Sequence, residues 1–313
     1  MLLAYITASC VNELPLSFTE QEAELAVVAR FSDRDTVHNV YLTISSGDDL
    51  SCPTAESLAQ VWKDGKCVAQ TDTIRFSDSE PWIQNHQLRF HIEHGCEYTL
   101  KVTSGDFNAV SVAEAIIPYR GTASVEDSLS IRDEQGFRKF QSIQIQVSDE
   151  KDVDSYYMLD DHLDGIVRYW KGDNVVDSCR VERLGKIHQP PSIHGIASEL
   201  GMEVQSSFSG MFVFSDYSFK NKSFYITADF NERPLYISSW GRYTMHDTYD
   251  KITVAAIIRV GVVTEREYGY LRLLNTDSGL IISEPIMLPN NVTGGYGDFG
   301  IVSTADVFVD LGR

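Results

Sequence analysis

Apolar and polar positions alternate with a period of two along most of this chain. Residues 98–102 (YTLKV) and 143–147 (IQIQV) each put apolar side chains on one face and polar ones on the other, which predicts half-buried strands. Residues 59–70 (AQVWKDGKCVAQ) predict a hairpin, because Asp64-Gly65 supplies the positive φ values of a two-residue turn. Residues 223–230 (SFYITADF) and 251–258 (KITVAAII) are further strands, the second carrying the longer apolar run of a more buried one.

Helical periodicity is confined to residues 264–275 (TEREYGYLRLLN). Thr264 is a capping residue with Glu267 three positions on, as in a capping box. Tyr268, Leu271 and Leu274 then recur on one stripe, with Gly269 as a weak point. Residues 192–201 (SIHGIASELG) suggest a short helical turn. No alternation of strand and helix appears, so the pattern predicts sandwich-like β architecture rather than an α/β fold. A strand-like run ends at Pro118 within residues 115–121 (AIIPYRG), and a polar, acidic stretch follows. The expected divisions are 1–10, 11–118 and 119–313, with sizes usual for domains in the last two.

Composition narrows the function classes. The 313 residues are 43% hydrophobic and 23% charged, ordinary globular usage that excludes wholesale disorder. Forty-five acids against 26 bases give a formal charge of −19, a field that repels phosphate backbones and argues against nucleic acid as a partner. No apolar run reaches the roughly 18 residues of a spanning helix.

The opening residues 2–10 (LLAYITASC) carry a short apolar core, then small residues, then Cys10. That order is the end of a secretory signal in its lipoprotein form, where the cysteine thiol takes the lipid. The other reading is a first strand with a buried cysteine. Against the signal, no Lys or Arg precedes the run, and Thr7 stands where Leu is usual. In its favour, polar Asn12-Glu13 follow at once, and removing Cys10 from the five cysteines leaves an even four: Cys52, Cys67, Cys96 and Cys179. Four cysteines allow three pairings or none, and sequence does not choose. The expectation is an exported protein lipidated at Cys10.

Catalytic and metal motifs fail on inspection. Residues 160–165 (DDHLDG) imitate the start of a calcium loop, but His162 is a poor ligand for a hard cation and Lys171 stands where the closing Glu belongs. A solvated acidic turn is the preferred reading. The eight histidines include no helical pair with the zinc-protease spacing. Residues 205–212 (QSSFSGMF) lack the first Gly of a nucleophile elbow, and no phosphate-cradling Gly-x-x-x-x-Gly-Lys occurs. Paired carboxylates for polymer hydrolysis need only spatial proximity, and an acidic chain supplies many by chance. No catalytic residue, metal or cofactor is expected. Residues 290–300 (NNVTGGYGDFG) interleave four glycines with Tyr296 and Phe299. They read first as close backbone approach with Phe299 in the core, and second as a flexible aromatic contact loop. Trp170, Trp240, Tyr243, Tyr249 and Tyr296 are the candidate residues for a ligand or partner surface, although about half of any strand's aromatics face inward.

Pieces in a fixed order carry a family resemblance: "CVNELPLSFTEQEAELAVVARF", "AQVWKDGK" with "GCEYTLKV" closing on "IIPY", "SIQIQVSDEKDVDSYYML", "FSDYSFKNKSFYI", "ITVAAIIRVGVVTEREYGYLRLLN" and "SEPIMLPNNVTGGYGDFG". In that order the chain resembles the Bacteroidetes-type outer-membrane lipoproteins catalogued as domain of unknown function 4249. The resemblance implies a mostly β fold, with an N-terminal immunoglobulin-like β-sandwich followed by a larger β-rich part bearing one short C-terminal helix. It implies a lipid anchor in the outer membrane and, as partner, a TonB-dependent transporter. It carries no catalytic residues. The leading expectation is a non-catalytic ligand-binding or accessory module, taking a glycan or peptide. A surface adhesive or structural lipoprotein is the alternative, and a hydrolase of surface polymers comes third.

Overall fold

The computed structural model describes residues 22–46, 49–76, 78–132, 138–148, 154–187, 205–206, 211–216, 223–230, 251–276 and 289–311. Strands dominate, and one helix occurs among the described residues. The chain opens with β1 (Glu24–Ser32), β2 (Val37–Ser46), β3 (Asp49–Ser51), β4 (Leu58–Lys63), β5 (Lys66–Gln70) and β6 (Thr73–Phe76). There follow β7 (Gln84–Arg89), β8 (Cys96–Ser104), β9 (Phe107–Ala115), β10 (Ala123–Arg132) and β11 (Arg138–Ser148). Next are β12 (Tyr156–Asp160), β13 (His162–Lys171), β14 (Asn174–Ile187), β15 (Gln205–Ser206), β16 (Met211–Ser215) and β17 (Ser223–Phe230). The chain ends with β18 (Lys251–Val263), α1 (Glu265–Thr276), β19 (Val292–Thr293) and β20 (Tyr296–Asp310).

Alternation decides these strands as expected. β8 and β9 bury every second residue, and the β4–β5 hairpin turns on Asp64 and Gly65 at φ 50° and 72°. One sheet runs in the order β10-β11-β17-β14-β13-β18-β20-β1-β2-β7-β6. A second sheet, β19-β9-β8-β4-β5, faces its β1-β2-β7 end. Leu25, Val27, Phe31, Val40 and Leu42 from one layer meet Val61, Tyr98, Leu100 and Val102 from the other, giving a first, two-layer core. The rest of the large sheet curls until β10 returns against β20. It thereby encloses a second core of Ile143, Ile145, Tyr157, Leu163, Phe224, Ile226, Ile258 and Val260.

Chain order does not separate the two cores. β19 pairs with β9, and the first half of β20 pairs in parallel with β1, so the end of the chain completes the first core. The second half of β20 pairs antiparallel with β18 in the wall of the second core. The parallel seam requires Gly297, where φ is 132° and a Cβ would lie 1.9 Å from the Val27 carbonyl oxygen. Phe299 is fully buried in the first core with its ring 5.1 Å from that of Phe31, which matches the first reading of the glycine-rich stretch.

Cys52, Cys67, Cys96 and Cys179 are free thiols. Cys10 and residues 192–201 lie outside the described residues. No helix among the described residues is long and apolar enough to cross a membrane.

Candidate functional site

Helix α1 lies on the face of the large sheet opposite the two main cores. Tyr268 and Leu271 pack on Val213, Val263, Val302, Tyr156 and Met158, and the rings of Tyr268 and Tyr156 stack 5.0 Å apart. Thr264 caps the helix, its Oγ1 accepting from the Glu267 N–H at 3.3 Å. The second half of the expected capping box is absent. Glu267 turns into the protein, where its Oε1 accepts from Arg30 Nε at 2.8 Å. The cause is space on β20: Gly300 has no side chain, and a Cβ there would come within 2.1 Å of Glu267 Oε2.

This places Glu267, with no exposed surface, against Asp298, which is 2% exposed. Glu267 Oε2 is buried with no hydrogen-bond partner. Burial, then the negative charge of the neighbouring Glu267, push Asp298 up to about 7, against the opposing pull of Arg266 and Arg30. Arg266 donates to Asp298 Oδ1 at 3.1 Å and to the Phe299 carbonyl at 2.7 Å. Tyr270 lies over the pair, its hydroxyl held above the ordinary range by burial and by Asp298. Asn291 clamps the strand from the other side, accepting from Phe299 N–H at 2.9 Å and donating to its carbonyl at 2.8 Å.

Beside the helix the same face opens into a cleft of about 440 Å³. Register explains the hollow. Met158 of β12, Gly261 of β18 and Thr304 of β20 stand abreast, and the middle position has no side chain. Met158, Gly261 and Val302 form an apolar part, and Arg30, Arg34 and Arg259 with Asp35 and Asp160 form a charged part. The rim is fixed by Asp33 in the β1–β2 turn. Its carboxylate accepts from Thr304 N–H at 2.9 Å and lies 2.8 Å from His94 Nε2. Arg34 lies 2.6 Å from Asp306 Oδ1, although no N–H points squarely at that oxygen.

Arg259 connects the cleft to residues 160–165. It donates to Asp160 at 2.8 Å and to Asp164 at 3.2 Å, and Arg180 donates to the same Asp164 oxygen at 2.9 Å. An irregularity in the β13–β14 pairing puts Arg183 at φ 53°, and its N–H donates to Asp164 Oδ1 at 3.1 Å. Burial alone would raise Asp164, but hydrogen bonds from Arg180 and Arg183 and the charge of Arg259 hold its carboxyl below the usual range. The expected solvated acidic turn is corrected for this residue: Asp164 is buried because it faces the network of three arginines rather than water. Among the described residues, no group of three or more His, Cys, Asp or Glu is placed to hold a metal ion.

The aromatic residues singled out from sequence do not come together. Trp170 is half-buried near the end of β13, its Nε1 donating to Thr253 Oγ1 at 2.8 Å. Tyr296 is 41% exposed at the start of β20, on the same sheet face as the exposed cross-strand pair Val28 and Tyr41. Trp240, Tyr243 and Tyr249 lie outside the described residues. Sequence reasoning missed Arg30, Arg34, Arg259 and the Glu267–Asp298 pair. The available signal for the pair was local: an acid at the third helical position and Asp298 between glycine and an inward phenylalanine.

Comparison with known proteins agrees with the order of the sequence pieces. A family model described as "Domain of unknown function (DUF4249)" matches residues 11–306. No curated protein matches. Among solved structures, the titin domains Z1Z2 in complex with telethonin are similar at 10% identity over 93% of this chain and 96% of that one, with a TM-score of 0.20.

Proposed function

Because this chain belongs to the family described as Domain of unknown function (DUF4249), a description that brings no chemistry with it, we propose a function from the cleft. The protein captures a ligand without transforming it. It is a lipoprotein, anchored through Cys10 at the outer membrane, and serves as the accessory module of a TonB-dependent transporter. One observation carries the ligand-capture reading. The 440 Å³ hollow is lined by apolar and charged groups that project from four neighbouring strands of one sheet. A hollow of that size, with an apolar floor beside convergent charged groups, suits small-ligand recognition. The anchoring and the transporter partner rest on the resemblance of the opening residues and of the ordered sequence pieces.

The test is cross-linked co-purification of the native, full-length protein from outer membranes. A stoichiometric β-barrel transporter is expected. A membrane-bound, intact protein with no barrel attached would sink the accessory role in favour of a self-standing adhesive lipoprotein.

A further inference from the structure

Three part-exposed guanidinium groups line the cleft, each with N–H groups beyond those turned to its carboxylate partner. Each guanidinium offers five N–H groups. Arg30 uses Nε for Glu267, and Arg34 meets Asp306 through Nη2. Arg259 uses Nη1 for Asp160 and Nη2 for Asp164, while its Nε is buried with no partner at all. A buried donor without an acceptor is a costly arrangement that native proteins largely avoid. Beside these donors lies the uncharged surface of Met158, Gly261 and Val302.

We propose that the cleft binds a carboxylate-bearing ligand, a singly charged acid on an apolar chain. The carboxylate lies on the arginine wall and the chain over Met158, Gly261 and Val302. The inference rests on the capture reading above and gives it a ligand class. Guanidinium and carboxylate match in planar, two-point geometry, and the part-exposed guanidinium groups of Arg30, Arg34 and Arg259 offer their outer N–H groups for it. A chain of net charge −19 penalises each added negative charge, which favours one carboxylate over phosphate or sulfate.

The neighbourhood of Asp298 supports this. While Asp298 is protonated, the two neighbouring acids present one negative charge to two guanidinium groups, Arg30 from β1 and Arg266 from α1. Tyr270 of α1 is the further titratable group beside the pair, and Tyr296 of β20 lies next to Tyr270. Arg30 then keeps positive charge for a ligand. Loss of the proton neutralises it, so affinity falls from pH 6 to pH 8 while the ligand itself stays ionised.

The experiment is calorimetric titration of the full chain with N-acetylated dipeptides bearing apolar side chains. Each is used as free acid and as C-terminal amide at fixed ionic strength, with inorganic phosphate and sulfate alongside. Acids are expected to bind at least about tenfold more tightly than their amides, as for loss of a charged hydrogen-bond pair. Arg259→Gln weakens the acids by a similar factor. Asp35→Asn removes a carboxylate from the lining and tightens them about twofold or more, a gain that misfolding does not produce. Equal binding of acids and amides, no saturable binding of any acid, tighter binding of phosphate or sulfate, or no gain in Asp35→Asn overturns the proposal. Acid binding without a co-purifying barrel would remove only the accessory role, and a barrel without acid binding would remove only this ligand class.

Discussion

At Gly297 the obstacle to any side chain is backbone: a Cβ would sit 1.9 Å from the Val27 oxygen, on a residue whose φ of 132° already disfavours L side chains. Neither atom can retreat without opening the β1–β20 seam. Gly300 differs, because the atom in the way belongs to the Glu267 side chain. Gly269, on α1, has nothing within 4 Å of its would-be Cβ. Three alanine substitutions therefore separate three causes. Gly297→Ala is expected to cost about 3 kcal/mol or more, as for a strained position with a direct clash. Gly269→Ala is expected to add about 0.5–1 kcal/mol through helix propensity. Gly300→Ala falls between, and its cost shrinks when Glu267 is shortened to Asp. Urea unfolding measures all three, and a Gly297→Ala protein as stable as the parent would refute the seam. The glycines and the inward Phe299 were legible in the sequence. Their contacts were not, because Val27 and Glu267 lie in distant segments and leave no local periodicity at residues 297–300.

Elements were legible where a period ran long enough. The strand at 98–102, the hairpin on Asp64-Gly65 and the helix at 265–276 follow from local pattern, since alternation or a helical stripe fixes which face is buried. The capping box failed in its second half because an acid at that position has two possible partners, and a half-buried guanidinium opposite a glycine outweighs a helix N–H in water. The joint between α1 and the sheet is consequently acidic and buried, and its pH behaviour follows. Asp298 is raised from 3.8 to about 7. An acid raised on folding contributes stability that is present in full below pH 3.8 and is lost as pH rises through about 7. His86 works in the opposite direction: burial lowers it from 6.5 to about 4, so its share is lost as pH falls between those values. Glu267→Gln supplies an amide that can donate to Asp298 and accept from Arg30, which removes the neighbouring negative charge and lowers Asp298, while its burial still holds it above the usual range. Between pH 5.5 and 8.5 the parent should lose urea resistance more steeply than Glu267→Gln, while both show the same His86-dependent loss at lower pH. Parallel curves across the upper range would show that Glu267 does not raise Asp298.

For the molecule as a whole, β20 is the element that both cores need. Its first half presents Phe299 and Ile301 to the first core, and its second half presents Val307 and Val309 to the second. A strand whose backbone is paired to β1 at one end and β18 at the other transmits loss of either partner, because freeing one half unties the register of the next. Nothing in the spacing of apolar residues along 296–310 distinguishes such a shared strand from two consecutive ordinary ones, so the coupling was invisible in the sequence. Two tryptophans report on it separately. Trp62 stands on β4 by the first core, under the Lys101 ammonium at 4.2 Å, and Trp170 stands on β13 by the second, bonded to Thr253. In proteins keeping only one of these tryptophans, the urea transitions seen by fluorescence should coincide. Phe299→Ala removes a ring from the first core alone and should cost about 3–5 kcal/mol. If β20 joins the cores into one cooperative unit, the Trp170 transition moves down with that of Trp62. If only the Trp62 transition moves, the two cores unfold independently and β20 is a tether between them.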